Sequence, residues 1–269
     1  LERFANFVIR PSKKEETYAF LEERLLGTPS IAVGEASDMT VKMATLARTT
    51  ILSAINICQR YDQKVADEIL KHEDELDLYE DKLGTFLVKL SSRSLSIADS
   101  RKVSNMLHTI GDFERLGDHA VNLRKTAEEI HDKHIVFSED AAAELQNLTN
   151  ALTEILELTI DAFREHNLEM ARHVEPLEQV IDCLISAAKS THVERLQSGK
   201  CTIQNGFVLN DLLTNYERVS DHCSNIAVSL IETSAGSFDT HEYLSEVKEG
   251  GSKDYTDLYH AYTKKYALQ

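Results

Sequence analysis

One polar pattern occurs twice in this chain, at residues 112–123 (DFERLGDHAVNL) and at residues 215–226 (NYERVSDHCSNI). In each copy a Glu, an Asp and an Asn stand four residues apart, so they share one face if the segment is helical. These residues are Glu114, Asp118 and Asn122 in the first copy and Glu217, Asp221 and Asn225 in the second. The repetition predicts two similar folding units in one chain.

Apolar residues recur at intervals of three and four through most of the sequence, which is typical of amphipathic helices. The most regular run is Leu145, Leu148, Leu152, Ile155 and Thr159. Helix breakers are rare, with 10 Gly and 3 Pro among 269 residues, and no useful β alternation is present. We therefore predict an all-α fold of two tandem antiparallel three-helix bundles related by a pseudo-twofold axis.

The connectors between the helical stretches divide the chain into four segments. A lead-in at 1–29 precedes a first three-helix repeat at 30–134 and a second repeat at 138–234. Residues 235–269 form a polar tail, predicted to be a docking helix that lies on a partner or on the domain itself. A frayed terminus is the alternative. The spaced aromatic residues of this tail are Tyr243, Tyr255, Tyr259, Tyr262 and Tyr266.

The charge balance restricts the partners that the chain can bind. It has 45 acidic and 29 basic side chains, a formal net charge of −16. Such a surface repels the phosphates of nucleic acids and anionic lipids but suits cations. The four cysteines form no CxxC pair, which favours free thiols in a reducing compartment. No apolar run approaches the roughly 18 residues that a membrane-spanning helix needs.

The helix before each repeated pattern carries a further acidic pair at the same spacing, Glu73 with Asp77 and Glu178 with Asp182. If the two helices of a unit pack side by side, four carboxylates converge. We call Glu73, Asp77, Glu114 and Asp118 the first carboxylate cluster, and Glu178, Asp182, Glu217 and Asp221 the second. Converging carboxylates need raised pKa values or a bound cation, and oxygen ligands suit divalent or ferric ions.

The residues alone also allow simpler interpretations of these acids. A single pair of acids four apart is common on a solvated helix face. Arg115 and Arg218 directly follow the two Glu residues of the repeated pattern and could neutralise the acids as salt bridges. His119 and His222 point about 100° away from the preceding Asp, as expected of flanking or surface residues as much as of ligands.

Motifs of known catalytic sites are missing from the sequence. Ferritin-like di-iron sites place a His three residues after a Glu. The residues at that offset here are Leu76, Gly117, Ile181 and Ser220. No Ser-His-Asp arrangement, P-loop or dinucleotide-binding turn is present. We therefore expect a protein that is not an enzyme, with a metal-dependent hydrolase or a metal-storage module as the alternative.

The ERxxDHxxN segments at 114–122 and 217–225, joined to ExxxD on the preceding helix, resemble the PhoU family over about residues 30–232. The resemblance implies two three-helix bundles that bind multinuclear clusters of iron or zinc, or other divalent ions, and regulate phosphate uptake. By position, the metal ligands would be the eight acids of the two carboxylate clusters. Six residues would flank them: Asn122, Asn225, Arg115, Arg218, His119 and His222. The second copy departs from the first at Ser220 and Cys223, which replace Gly117 and Ala120.

The chain ends resemble one branch of that family. Residues 20–33 and 238–268 are similar to the flanks of the PhoU-like domain of bacterial sodium/phosphate cotransporter proteins. This implies a metal-binding regulatory domain of a sodium-dependent phosphate transporter at the cytoplasmic face of the bacterial cell membrane. Its partner would be a membrane transporter domain of the same polypeptide. The alternative is a free-standing PhoU-type adaptor that acts on a phosphate permease or a sensor kinase. No nucleic-acid partner is expected, and a homodimer is left open.

Overall fold

The computed structural model describes residues 23–235 and 253–267, and every regular element within these ranges is helical. After a 3-10 turn at Glu23–Gly27, the first half contains α1 (Pro29–Gln59), α2 (Gln63–Ser91) and α3 (Ile97–Asp132). The second half contains α4 (Glu139–Glu165), α5 (Leu168–Arg172), α6 (Val174–Gln197) and α7 (Ile203–Ala235). A last helix, α8, spans Lys253–Lys265. The predicted all-α class is confirmed.

Short polar side chains determine where several helices begin. Asp62 accepts hydrogen bonds from the backbone N–H groups of Lys64 and Val65 at the start of α2. Ser96 and Ser138 cap α3 and α4 in the same way, each accepting from the N–H three residues further on. These caps satisfy backbone donors that the first helical turn leaves open. Each of these three helices therefore begins at a defined residue.

The helices form two three-helix units that pack against each other. Helices α1, α2 and α3 make the first unit, and α4, α6 and α7 make the second, with α3 against α7 and α1 against α4 between them. Across the α3–α7 contact, Asn105 Nδ2 donates to Ser229 Oγ at 3.2 Å, and His119 Nδ1 lies 3.0 Å from Asn215 Oδ1. Helices α3 and α7 therefore run antiparallel, as the predicted pseudo-twofold axis requires.

The units span residues 29–132 and 139–235, and the segments predicted from the sequence were 30–134 and 138–234. Where the sequence indicates only a break after α4, the structure places the short helix α5. The described part of the tail, α8, packs along α6. Its tyrosines Tyr262 and Tyr266 are buried, and Asn147 Nδ2 donates to the Tyr266 carbonyl at 2.8 Å. Tyr243 and residues 1–22 lie outside the described residues.

Candidate functional site

Close packing of α2 on α3 forms the first carboxylate cluster. Gly117 lies between Glu114 and Asp118, and a Cβ added there would sit 2.7 Å from Leu76 Cδ1 and 3.8 Å from Glu73 Cγ. The glycine therefore allows the two backbones to approach where their acidic faces meet. Leu76 is fully buried beneath this contact.

The acids of the first cluster affect one another across the two helices. Burial raises the pKa of Glu73, and the nearby charges of Asp77 and Asp118 raise it further. Burial also raises the pKa of Glu114, and Asp118 and Asp77 add to this effect while Arg115 opposes it. Each raised pKa means that the ionised carboxylate is disfavoured in the folded protein. In the first unit the acids of α2 and α3 therefore lie near enough for their charges to act on one another.

Arg115 partly neutralises this cluster from the solvent side. Its Nη1 lies 2.7 Å from Asp118 Oδ2, and its Nε lies 3.5 Å from Glu114 Oε2. The Arg115 side chain is 60% exposed, whereas that of Glu114 is 20% exposed. Two of the four acids, Glu114 and Asp118, therefore form the salt bridges with Arg115 that the sequence allowed.

The second carboxylate cluster contacts two basic side chains, Lys189 and Arg218. Lys189 of α6 places Nζ 3.0 Å from Glu217 Oε2, and Arg218 Nη1 lies 3.1 Å from Asp221 Oδ2. Glu178 is only 6% exposed, and Gln179 Nε2 donates to its carboxylate at 3.3 Å. Both acids of α7 therefore have a cation beside them, and one of these cations comes from the neighbouring helix.

The carboxylates as arranged do not form a metal cage. Among residues 23–235 and 253–267, no group of three or more His, Cys, Asp or Glu side chains is placed to hold a metal ion. A cage in the first unit would need Arg115 to release Asp118 and Glu114. The assignment of the eight acids as ligands of iron or zinc therefore stays a prediction.

The histidines of the repeated pattern lie between the units instead of beside the acids. The rings of His119 and His222 are tilted by 34° to each other, with centroids 5.4 Å apart. His222 Nδ1 contacts Asp112 Oδ1 at 2.8 Å, which mirrors the contact of His119 with Asn215. Burial lowers the pKa of His119, although its hydrogen bond to Asn215 opposes the shift. The pattern thus joins the two units as well as carrying acids.

The partners Asp112 and Asn215 were missed in the sequence, although they open the two copies of the repeated stretch. Each stands seven residues before its copy's His, which is two helical turns away on the same face. Asn225 joins the contact between His222 and Asp112, since its Nδ2 donates to Asp112 Oδ1 at 3.3 Å. Asn122 is exposed at the corresponding place in the first unit.

A family profile described as the PhoU domain matches residues 40–127 and 145–230 of this chain. The chain is 23% identical over 194 residues to a phosphate-specific transport system accessory protein PhoU homolog of Clostridium acetobutylicum, covering 71% of this chain and 87% of the relative. It is 22% identical over 210 residues to PhoU homolog 1 of Thermotoga maritima, covering 78% of this chain and 89% of that protein.

Solved structures show a similar fold. The crystal structure of PhoU from Pseudomonas aeruginosa aligns with a TM-score of 0.70 and 20% identity, over 76% of this chain and 97% of that one. The phosphate transport system regulatory protein PhoU from Streptococcus pneumoniae aligns with a TM-score of 0.69 and 18% identity, over 78% and 99%. The alignments confirm the PhoU-like arrangement of the two helical units.

These relatives correct one prediction from the sequence. A membrane transporter domain of the same polypeptide was expected as the partner, but the relatives are accessory proteins that the match spans over 87% and 89% of their length. In the part of the chain that the structure describes, no helix is long and apolar enough to cross a membrane. The prediction of a transporter domain as partner is wrong, because it depended on short flanking segments and not on the two units themselves.

Proposed function

The chain belongs to the PhoU family, and from this premise we propose that it is a non-enzymatic accessory protein of a phosphate-specific transport system. The observation that carries the proposal is the family match through both three-helix units, at residues 40–127 and 145–230. The names of the relatives supply the transport system. The protein acts as an adaptor on a separate phosphate permease or on a sensor kinase, and so adjusts uptake to the phosphate supply.

Phosphate uptake in cells that lack the gene tests this role. If the protein restrains uptake when phosphate is abundant, deletion should leave uptake high in both poor and rich medium, and the intact gene should restore the response. An unchanged response of uptake to phosphate in the deletion strain would contradict the proposal. The permease and the sensor kinase are distinguished as targets by a second measurement, the expression of phosphate-responsive genes with and without the deletion in a strain that lacks the permease. A kinase target predicts that the effect of the deletion persists there.

We also propose that the first carboxylate cluster binds iron or zinc. Its support is the mutual effect of Asp77 and Asp118 on Glu73 and Glu114, whose raised pKa values a cation would relieve. Such an ion would hold α2 against α3 and so stabilise the first unit. Arg115 is the competitor for the same oxygens, so metal binding and this salt bridge exclude each other.

Thermal melting with chelator and then with iron or zinc tests the metal proposal. The metal should raise the melting temperature of the unaltered protein, and Glu114→Gln or Asp118→Asn should abolish that rise. Glu68→Gln removes an exposed acid of α2 outside the cluster and should keep the rise. Arg115→Gln should enlarge it, because both acids become available. An equal response of all four variants would refute metal binding at this cluster.

A further inference from the structure

A pocket of about 290 Å³ opens between the two units at the end of the interface where α3 begins. Three of its lining side chains are basic: Arg101, Lys102 and His166. Ser37 of α1 and Ser234 of α7 also line it, so that both units contribute. Among residues 23–235 and 253–267 no Asp or Glu lines this pocket, although acids outnumber bases by 45 to 29 in the whole chain. We call it the basic pocket.

In the described part of the chain, the two cations of the basic pocket have no acidic partner. Within residues 23–235 and 253–267, neither Arg101 nor Lys102 forms an ion pair. The acids nearby in sequence have other contacts. Asp99 accepts a hydrogen bond from Ser96 Oγ at 2.8 Å, and Glu165 pairs with Arg164 at 3.0 Å. Arg101 and Lys102 are exposed, and both are therefore available to a ligand.

The end of α4 adds a third basic group. His166 closes this helix in the left-handed conformation, with φ 49°, and its N–H donates to the Phe163 carbonyl at 3.3 Å. The Asn167 N–H donates to the Ala162 carbonyl at 2.9 Å, so two of the final carbonyls are covered. Burial lowers the pKa of His166, and the charge of Lys102 lowers it further, as expected beside cations without acids. His166 therefore supplies a ring donor to a ligand, and the positive charge at the mouth comes from Arg101 and Lys102.

Neutral donors complete the lining. Among the described residues the Ser37 hydroxyl makes no hydrogen bond, so it is available to a ligand. Ala98 in the first turn of α3 also lines the pocket, where backbone N–H groups have no partner within the helix. Guanidinium, ammonium, hydroxyl and amide groups together are the donors that proteins use for phosphate.

The opposite end of the same interface shows that this charge is not a general property of the groove between the units. A pocket of about 410 Å³ lies there, with Cys58, Ile130, Phe137 and Tyr216 among its lining residues. Of the residues that the structure describes, no Lys, Arg, Asp or Glu lines it. The two ends therefore differ in charge, although a pseudo-twofold relates the helices that form them.

We propose that the basic pocket binds a phosphate dianion, either as inorganic phosphate or as the phosphoryl group of a small metabolite. Arg101 and Lys102 supply the charge, and Ser37 supplies a neutral donor. Because Arg101 belongs to the first unit and His166 to the second, the bound anion bridges them. The inference goes beyond the proposed function, since it assigns a ligand to the chain itself and needs no permease or kinase.

Calorimetric titration of the whole chain in a buffer without phosphate tests the proposal. Inorganic phosphate is one titrant and adenosine monophosphate is the other, and binding of one anion per chain is expected for at least one of them. Arg101→Gln/Lys102→Gln should weaken binding by about tenfold or more, because each lost charge-assisted hydrogen bond costs roughly that factor. Ser37→Ala should weaken it less.

The matched control is Lys64→Gln/Lys71→Gln, which removes two exposed lysines of α2 and the same total charge. This variant should bind like the unaltered protein. Equal weakening in both double variants would mean general electrostatic attraction and would overturn the proposal, as would no binding of either titrant. Binding of adenosine monophosphate alone supports an organic phosphate as the ligand, and binding of inorganic phosphate supports the free anion.

Discussion

In the first unit burial and the charges of acids on α2 and α3 raise the pKa values of Glu73 and Glu114, whereas in the second unit a lysine of α6 contacts an acid of α7. Glu73 and Glu114 have raised pKa values because of burial and of neighbouring acids on both helices. Glu217, the counterpart of Glu114, lies 3.0 Å from Lys189 Nζ. The same acidic spacing therefore gives two glutamates with raised pKa values in one unit, and in the other a glutamate with a lysine of the neighbouring helix beside it.

Two positions outside the acidic residues also differ between the units. Lys189 stands eleven residues after Glu178, and the residue eleven after Glu73 is Gly84, which carries no charge. Ser220 stands where the first unit has Gly117, and its buried hydroxyl donates to the Glu217 carbonyl at 2.8 Å. A repeated motif thus determines which acids share a helix face, but residues outside the motif, such as Lys189, determine which of these acids have a cation beside them.

The largest expected effect comes from Gly117→Ala. The added Cβ would lie 2.7 Å from Leu76 Cδ1 in a fully buried contact, so α2 and α3 must move apart or Leu76 must change rotamer. Overpacking of this kind costs about 1–3 kcal/mol, which urea unfolding would measure as a lower midpoint. Separation of the helices should also weaken the mutual effect of the first-cluster acids.

The matching change in the second unit is Ser220→Ala. A Cβ is already accommodated there, and only a hydroxyl bonded to its own helix is lost, so a change within about 1 kcal/mol is expected. If both substitutions destabilise equally, the close approach at Gly117 is not what distinguishes the two units.

Transfer of the α6 lysine to the first unit should have the next largest effect. Gly84→Lys places a cation where Lys189 stands in the second unit, and the nearest atom to the new Cβ is Ile110 Cδ1 at 3.6 Å, an ordinary contact. Removing a mid-helix glycine stabilises by about 1 kcal/mol, and a partly exposed ion pair with Glu114 adds about 0.2–1 kcal/mol. Gly84→Gln supplies the helix propensity without the charge. Equal stabilisation by Lys and Gln would mean that Glu114 gains no partner.

Much of this arrangement could be predicted from the sequence, because helical periodicity and a duplicated motif are local signals. The all-α fold, the shared acidic faces and the Arg115–Asp118 and Arg218–Asp221 contacts follow from residue spacing alone. Lys189 could not be assigned to Glu217 in advance, since that contact depends on the rotation of α6 against α7. The contacts of His119 with Asn215 and of His222 with Asp112 depend on how two whole units dock, which no spacing within one helix determines.

Removing a single charge from each cluster should change the melting temperature in opposite directions, by a smaller amount. Glu114→Gln removes a disfavoured charge, so the metal-free protein should melt at the same or a higher temperature. Glu217→Gln removes the partner of Lys189 and should lower the melting temperature, by an amount within about 1 kcal/mol. Differential scanning calorimetry with chelator present gives both values. A fall of equal size in both variants would show that Glu114 is held by Arg115 as firmly as Glu217 is by Lys189.

The smallest expected effect is a difference in pH dependence between the two units. The folded-state pKa values of Glu73 and Glu114 lie above their ordinary value of 4.5, so the folded protein holds these protons more tightly than the unfolded chain does. Their contribution to the free energy of unfolding is therefore fully present below the ordinary pKa and is lost as pH rises through the raised values. Glu73→Gln/Glu114→Gln should remove this decline, so its stability relative to the unaltered protein should increase with pH across that window. Glu217→Gln/Asp221→Asn leaves the first cluster intact, so the decline caused by Glu73 and Glu114 should remain in this variant. Urea unfolding at a series of acidic pH values, with chelator present, gives both difference curves. If the two curves are parallel, the carboxylates of the first unit are no more strained than those of the second.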